Sequence, residues 1–129
     1  MRYFAMDLGL KRIGIAYSPD GKMASPLKTI ARKNRNQAAA EVKALLLEWD
    51  AEALIVGIPM GGSSEDEMRR RVAHFLKLVD FSGEIFYQDE SDSSLEAEAL
   101  MKGEISYRRD GRVDSIAAMI ILKRYLKLI

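Results

Sequence analysis

Residues Phe4 to Ser18 read FAMDLGLKRIGIAYS, and the fold turns on how this stretch is read. Two short apolar runs, Arg2 to Met6 (RYFAM) and Ile13 to Tyr17 (IGIAY), are joined by a glycine-containing turn, the pattern of a β-hairpin. Asp7 stands where the first run ends. A carboxylate inside a strand is costly unless something there needs it. A phosphate-binding turn, a metal ligand and an ordinary Asp-Gly hairpin all fit these residues.

Outward from the hairpin, Met23 to Ala31 predicts a third strand, with Pro26 placing it at an edge or interrupting it. Ala38, Val42, Leu45, Leu46 and Trp49 repeat at helical spacing and predict a first amphipathic helix. Ala53 to Ile58 (ALIVGI) is short and wholly apolar, as a buried central strand requires. Ser64 and Glu67 have capping-box spacing before a second helix, with Met68, Val72, Phe75, Leu76 and Val79 as its core stripe. Glu84 to Gln88 (EIFYQ) predicts another strand, running into the acidic stretch DESDSS. Ser93 and Glu96 repeat the capping-box spacing before a third helix over LEAEALM. Val113, Ile116, Ala117, Ile120 and Ile121 mark a final helix. The order is α/β, with an antiparallel meander on one side and parallel strands joined by helical crossovers on the other.

The chain has 129 residues, the size of a single domain. Hydrophobic residues make up 48% and charged residues 30%, the composition of an ordinary globular protein. No apolar run approaches the roughly 20 residues of a membrane span, and the N-terminus lacks the apolar core of a signal peptide. With no cysteine there is neither a disulfide framework nor a thiolate zinc site. A cytoplasmic protein is expected. The net charge is only +1, but the cations are clustered: Lys11 and Arg12; Arg32, Lys33 and Arg35; Arg69, Arg70 and Arg71; Arg108, Arg109 and Arg112. Such patches can bind phosphates even when acids elsewhere cancel the sum, and they can equally be solvated helix faces.

Ligands of an open α/β sheet gather outside the carboxyl ends of its parallel strands. Asp7, the pair Asp89 and Glu90, and Asp114 at the start of the last helix can all reach such a region. Like charges about 4 Å apart repel by roughly 4 kcal/mol at an effective dielectric near 20, so a cluster either takes up protons or binds a cation. Carboxylate oxygens suit magnesium or manganese. One or two such ions can activate a water and stabilise the leaving oxygen of a phosphodiester, with no histidine base needed. The single histidine, His74, falls in the second helix, away from these acids. Each acid also has an ordinary reading: Asp7 as a turn residue, Asp89 and Asp92 as loop or cap residues, Asp114 as a charge favoured by a helix N-terminus.

Four segments in order resemble the motifs of the YqgF (RuvX) family, small bacterial nucleases with a ribonuclease H-like fold. They are DLGLKRIGIA (Asp7 to Ala16), ALIVGIPMGG (Ala53 to Gly62), DESDSSLEAE (Asp89 to Glu98) and GRVDSIAAMIIL (Gly111 to Leu122). The resemblance spans nearly the whole chain. It implies one ribonuclease H-like domain over residues 1–129, with a five-stranded mixed sheet flanked by helices. It also implies a catalytic acidic site made of Asp7, Asp114 and the Asp89/Glu90 pair, with Asp7, Glu90 and Asp114 holding one or two Mg2+ or Mn2+ ions. Lys11, Arg12, Arg70, Arg71 and Arg112 would then contact substrate phosphates. The family is assigned to maturation of the 5′ end of pre-16S ribosomal RNA and also carries the description of Holliday junction resolvase. The implied partner is therefore nucleic acid, either pre-rRNA or branched DNA, met by a monomer or a homodimer and not at a membrane.

The sequence departs from the family pattern in two places. Ser91 and Asp92 stand where relatives usually carry an arginine after the acidic pair, and the loop after Pro59 is short. A non-catalytic nucleic-acid-binding scaffold therefore remains an alternative. A nucleotide-binding module of the actin and sugar-kinase type shares the Asp-bearing hairpin, but it needs a second lobe that 129 residues do not supply.

Overall fold

The hairpin of the opening stretch is the centre of a five-stranded sheet. In a computed structural model that describes residues 1–91 and 112–129, β1 (Tyr3–Leu8) pairs antiparallel with β2 (Arg12–Ser18). It pairs parallel with β4 (Ala53–Ile58) on its other side. β3 (Ser25–Ala31) extends the antiparallel side and β5 (Glu84–Asp89) the parallel side, giving the order β3-β2-β1-β4-β5. The expected meander and parallel half are both present. β3 is an edge strand, and its register slips between Ile15 and Ala16, where Lys28 and Pro26 are the successive partners. The proline thus sits where its missing N–H costs the ladder least.

Strand alternation sorts side chains between two apolar layers. Phe4, Met6, Leu8, Ile13, Ile15, Leu54, Val56 and Ile58 face α1 (Arg35–Glu48) and α2 (Glu65–Val79). Ala5, Ala16 and Ile55 face α3 (Arg112–Tyr125) on the other side. Both layers are sealed: each of these side chains is at most 2% exposed. β4 is buried throughout, as its unbroken apolar run implies. The third helix expected over LEAEALM lies outside the described residues.

Local signals at the helix starts differ from the sequence reading in two places. α1 opens with a capping box at Asn34 and Gln37. Asn34 Oδ1 accepts from Gln37 N at 2.8 Å, and Gln37 Oε1 accepts from Asn34 N at 3.2 Å. Such a cap contributes about 1 kcal/mol. The box expected from Ser64 and Glu67 does not form, because Ser64 is already helical (φ −92°, ψ −2°) and its side chain caps nothing. Glu65 instead accepts from Gly61 N at 2.7 Å, and the first turn of α2 carries Glu65, Asp66 and Glu67 against the helix dipole. Trp49 also departs from the expected α1 stripe. It follows the helix, remains 38% exposed, and packs its ring on Tyr17 with centroids 5.0 Å apart.

Candidate active site

Asp7 shares the parity of Tyr3 and Ala5, so its side chain belongs to the α3 layer. Space for it is made by what its neighbours lack. Directly across the antiparallel ladder is Gly14. On the parallel side, Gly57 follows Val56, the partner of Met6. A methyl group on Gly14 would lie 2.0 Å from the Asp114 carbonyl oxygen, so the first turn of α3 rests directly on β2. A methyl on Gly57 would lie 2.4 Å from Ile121 Cδ1 and 3.1 Å from Glu90 Cβ. The two glycines therefore admit the elements that carry Asp114 and Glu90 to either side of Asp7.

Glu90 continues β5, its N–H donating to the Ile58 carbonyl at 2.9 Å. Its side chain lies within hydrogen-bonding reach of Asp7, which can donate to it only while Asp7 is protonated. Burial, that hydrogen bond, and the charges of Glu90 and Asp114 push Asp7 from 3.8 up to about 8. Asp114, its side chain 27% exposed, places Oδ2 at 2.9 Å from Arg12 Nε. The contact is ionic without the alignment of a hydrogen bond, and Oδ2 is shielded from water with no hydrogen-bond donor among the described residues. Three carboxyl groups thus meet at the carboxyl end of the central strand, and a proton and a guanidinium offset their charge.

Asp89 goes elsewhere. It has the parity of Ile85 and Tyr87 and faces the α1/α2 layer. Its Oδ1 accepts from Met60 N at 3.1 Å, Ser91 N at 3.1 Å and Ser91 Oγ at 2.7 Å. These bonds, the Ser91 hydroxyl foremost, hold its carboxyl below the usual range. Ser91 is therefore engaged in fixing Asp89. Arg124 reinforces the same corner from α3, donating to the Asp89 carbonyl at 3.2 Å and the Ser91 carbonyl at 2.9 Å.

Among the cations named from sequence, Arg12 joins the acids, and Lys11 is exposed at the hairpin turn beside it. Arg70 and Arg71 lie on α2, across the sheet from the acids. The side chain of Arg112 lies outside the described residues. His74 is exposed on α2, also across the sheet. As they stand, no three acidic or histidine side chains among the described residues close on one ion. The donor set nevertheless fits a hard divalent cation: an all-oxygen cluster, one half-buried acid whose pKa is raised, and one buried oxygen without a donor among the described residues. Among the described residues, no helix is long and apolar enough to cross a membrane.

A five-stranded mixed sheet of this order, with helices on both faces, is the fold of the ribonuclease H-like resolvases. The RuvC of T. thermophilus, solved with a Holliday junction substrate, superposes with a TM-score of 0.57 at 13% identity, covering 99% of this chain and 94% of that one. The fowlpox virus Holliday junction resolvase gives 0.57 at 14% identity, covering both chains fully (100% and 100%). Within this class the chain belongs to the RuvX family, whose model, described as Holliday junction resolvase, matches residues 1–128. A relative from Sulfurimonas denitrificans is 68% identical over 127 residues, covering 98% of each chain. Another from Campylobacter lari is 51% identical and covers 99% of each. Both carry the name "Putative pre-16S rRNA nuclease".

Proposed function

We propose that the chain is a divalent-metal-dependent nuclease that matures the 5′ end of pre-16S ribosomal RNA in the cytoplasm, as one catalytic domain over residues 1–129. Family membership makes it a hydrolase of phosphodiester bonds. The observation that carries the metal reading is Asp7, a carboxyl on a central strand that burial first, then Glu90 and Asp114, hold in its protonated form. Asp7, Glu90 and Asp114 would hold one or two Mg2+ or Mn2+ ions. Such an ion supplies Lewis acidity toward the phosphodiester and lets a water act as nucleophile near neutral pH.

The chain's own groups have distinct tasks. The Asp7 carboxyl gives up its proton when the cluster is neutralised from outside. Glu90 keeps Asp7 oriented through their shared hydrogen bond. Arg12, paired with Asp114 and half exposed, is placed to exchange that partner for a substrate phosphate. Lys11 offers a second positive charge at the same turn. Asp89 fixes the loop that starts at Met60 and lies outside this chemistry.

Purified protein assayed with magnesium or manganese on a 5′-extended 16S precursor tests the assignment. Asp7→Asn, Glu90→Gln and Asp114→Asn are each expected to lower cleavage by about 100-fold or more. Asp89→Asn should stay within about tenfold of wild type, since it disturbs a loop tether. Full activity in Asp7→Asn would remove the mechanism. Cleavage of a four-way DNA junction with the precursor left intact would move the substrate to branched DNA. Binding of the precursor without cleavage in either metal would make the chain a scaffold.

A further inference from the structure

On the α1/α2 face, at the same end of the sheet, lies a cleft of about 400 Å³ lined by Arg32, Arg35, Arg70, Arg71, His74 and Phe75. None of the four arginines forms an ion pair among the described residues. Their neighbour Arg69 shows the contrast: it holds Glu65 at 2.8 Å and lies over the Tyr87 ring. The cleft is also built rather than merely crowded. Arg32 Nη1 donates to the Gly9 carbonyl at 2.7 Å, and its guanidinium lies 5.6 Å above the centroid of Phe75. Arg35 Nη1 donates to His74 Nε2 at 3.0 Å, tying α1 to α2 across the cleft.

Positive charge is concentrated here against the preferences of the fold. Burial first, then Arg71 and Arg35, weaken the hold of Arg32 on its proton. α1 begins at Arg35 with no acid in its first turn, so the positive end of its dipole is left unopposed. Four like charges with no ion-pair partner among the described residues disfavour the folded chain unless an anion occupies the cleft.

Position says which anion. Asp7 and Leu8 are consecutive on β1, and their side chains leave the sheet on opposite faces. Asp7 joins the acid cluster, whereas Leu8 lines the arginine cleft together with Leu10, the 76%-exposed residue of the turn. Among the described residues, the tight turn closed by Gly9 N and the Arg12 carbonyl, 3.0 Å apart, separates the two sites. We propose that the cleft binds phosphates of the substrate strand flanking the bond that is cut, so that the strand crosses the end of the sheet over the β1–β2 turn. This rests on the reading above that the substrate is a nucleic acid. Arginines supply forked donors for the phosphates, and Phe75, Leu8 and Leu10 supply apolar surface for a base.

The full chain, in EDTA to prevent cleavage, is titrated with a labelled single-stranded RNA oligonucleotide over a range of salt. Arg35→Gln combined with Arg70→Gln removes two exposed cations without touching the core. Binding is expected to weaken by about tenfold at low salt, and the salt slope to fall by about 1.4, or 0.7 for each lost phosphate contact. Arg35→Lys with Arg70→Lys should restore most of the slope. Leu10→Glu, which alters no arginine, should weaken binding by charge repulsion at the mouth. With divalent metal present, the double Gln variant should raise KM while kcat at saturation changes little. An unchanged affinity and slope in a folded Gln variant would overturn the proposal. So would a nucleoside monophosphate that binds wild type as tightly as the oligonucleotide. Asp7→Asn separates the two readings: it should bind normally and not cut. A wild type that binds through the cleft but never cuts defeats the nuclease mechanism and leaves the cleft standing.

Discussion

Asp7 keeps its proton in the folded chain to about pH 8, whereas a free aspartate loses it near 3.8. The folded state therefore binds one proton more than the unfolded chain between these values, and stability must fall as pH rises through the window. Its contribution is full below the lower value and gone above the upper one. Without divalent ions, the thermal midpoint of wild type is expected to drop between pH 5 and pH 8 relative to Asp7→Asn, which has no proton to lose. Parallel midpoint curves for the two proteins would show that Asp7 titrates normally. Sequence identified Asp7 and Asp114 as meeting points but left Asp89 and Glu90 open. The signal that separates them is parity: Phe86 packs in the α3 layer, so Glu90 shares its face and Asp89 cannot. That signal is readable only once it is known which face of β5 carries α3.

At the level of the element, the approach of α3 to β2 decides whether Asp114 reaches Asp7. The obstacle in Gly14→Ala is a backbone carbonyl, which no rotamer change can move aside. The helix must lift or tilt, at a cost of about 3 kcal/mol. Cleavage should fall further than the loss of folded protein explains, as measured by activity per folded molecule after denaturant titration. Activity that tracks folded fraction alone would mean that the placement of α3 is not critical. The strands and core stripes of this region follow from apolar period, and the structure reproduces them within a residue or two. The caps do not, because a capping box depends on backbone angles at its first residue. Asn34 is extended there and Ser64 is helical, although both have the required spacing.

Across the whole molecule, charge is divided between the two ends of the sheet. The carboxyl end holds the acids, Lys11, Arg12 and the arginine cleft. At the opposite end, Arg2 binds Asp50 at 3.0 Å and Glu52 at 3.3 Å, and its Nε donates to the Asp50 carbonyl at 2.7 Å. Arg2→Gln should cost about 0.5–1 kcal/mol in denaturant titration, as a half-exposed network does, and leave cleavage unchanged. A loss of activity in this variant would mean that the two ends are coupled. The architecture as a whole was legible because alternation and an unbroken apolar β4 leave few topologies. The arginine cleft was not, since the Arg32–Arg35 segment and the pair Arg70–Arg71 are far apart in the chain and meet through the packing of α1 on α2. The pair of glycines beside Asp7 has a last consequence for any saturation scan of this chain. Positions 14 and 57 carry no chemistry, yet by activity alone they will look as intolerant as the acids they admit. Serine and alanine should fail there where a conservative acid-to-amide change at Asp7 leaves the fold intact. Abundance and activity, scored side by side, will sort the positions that do the work from those that make room for it.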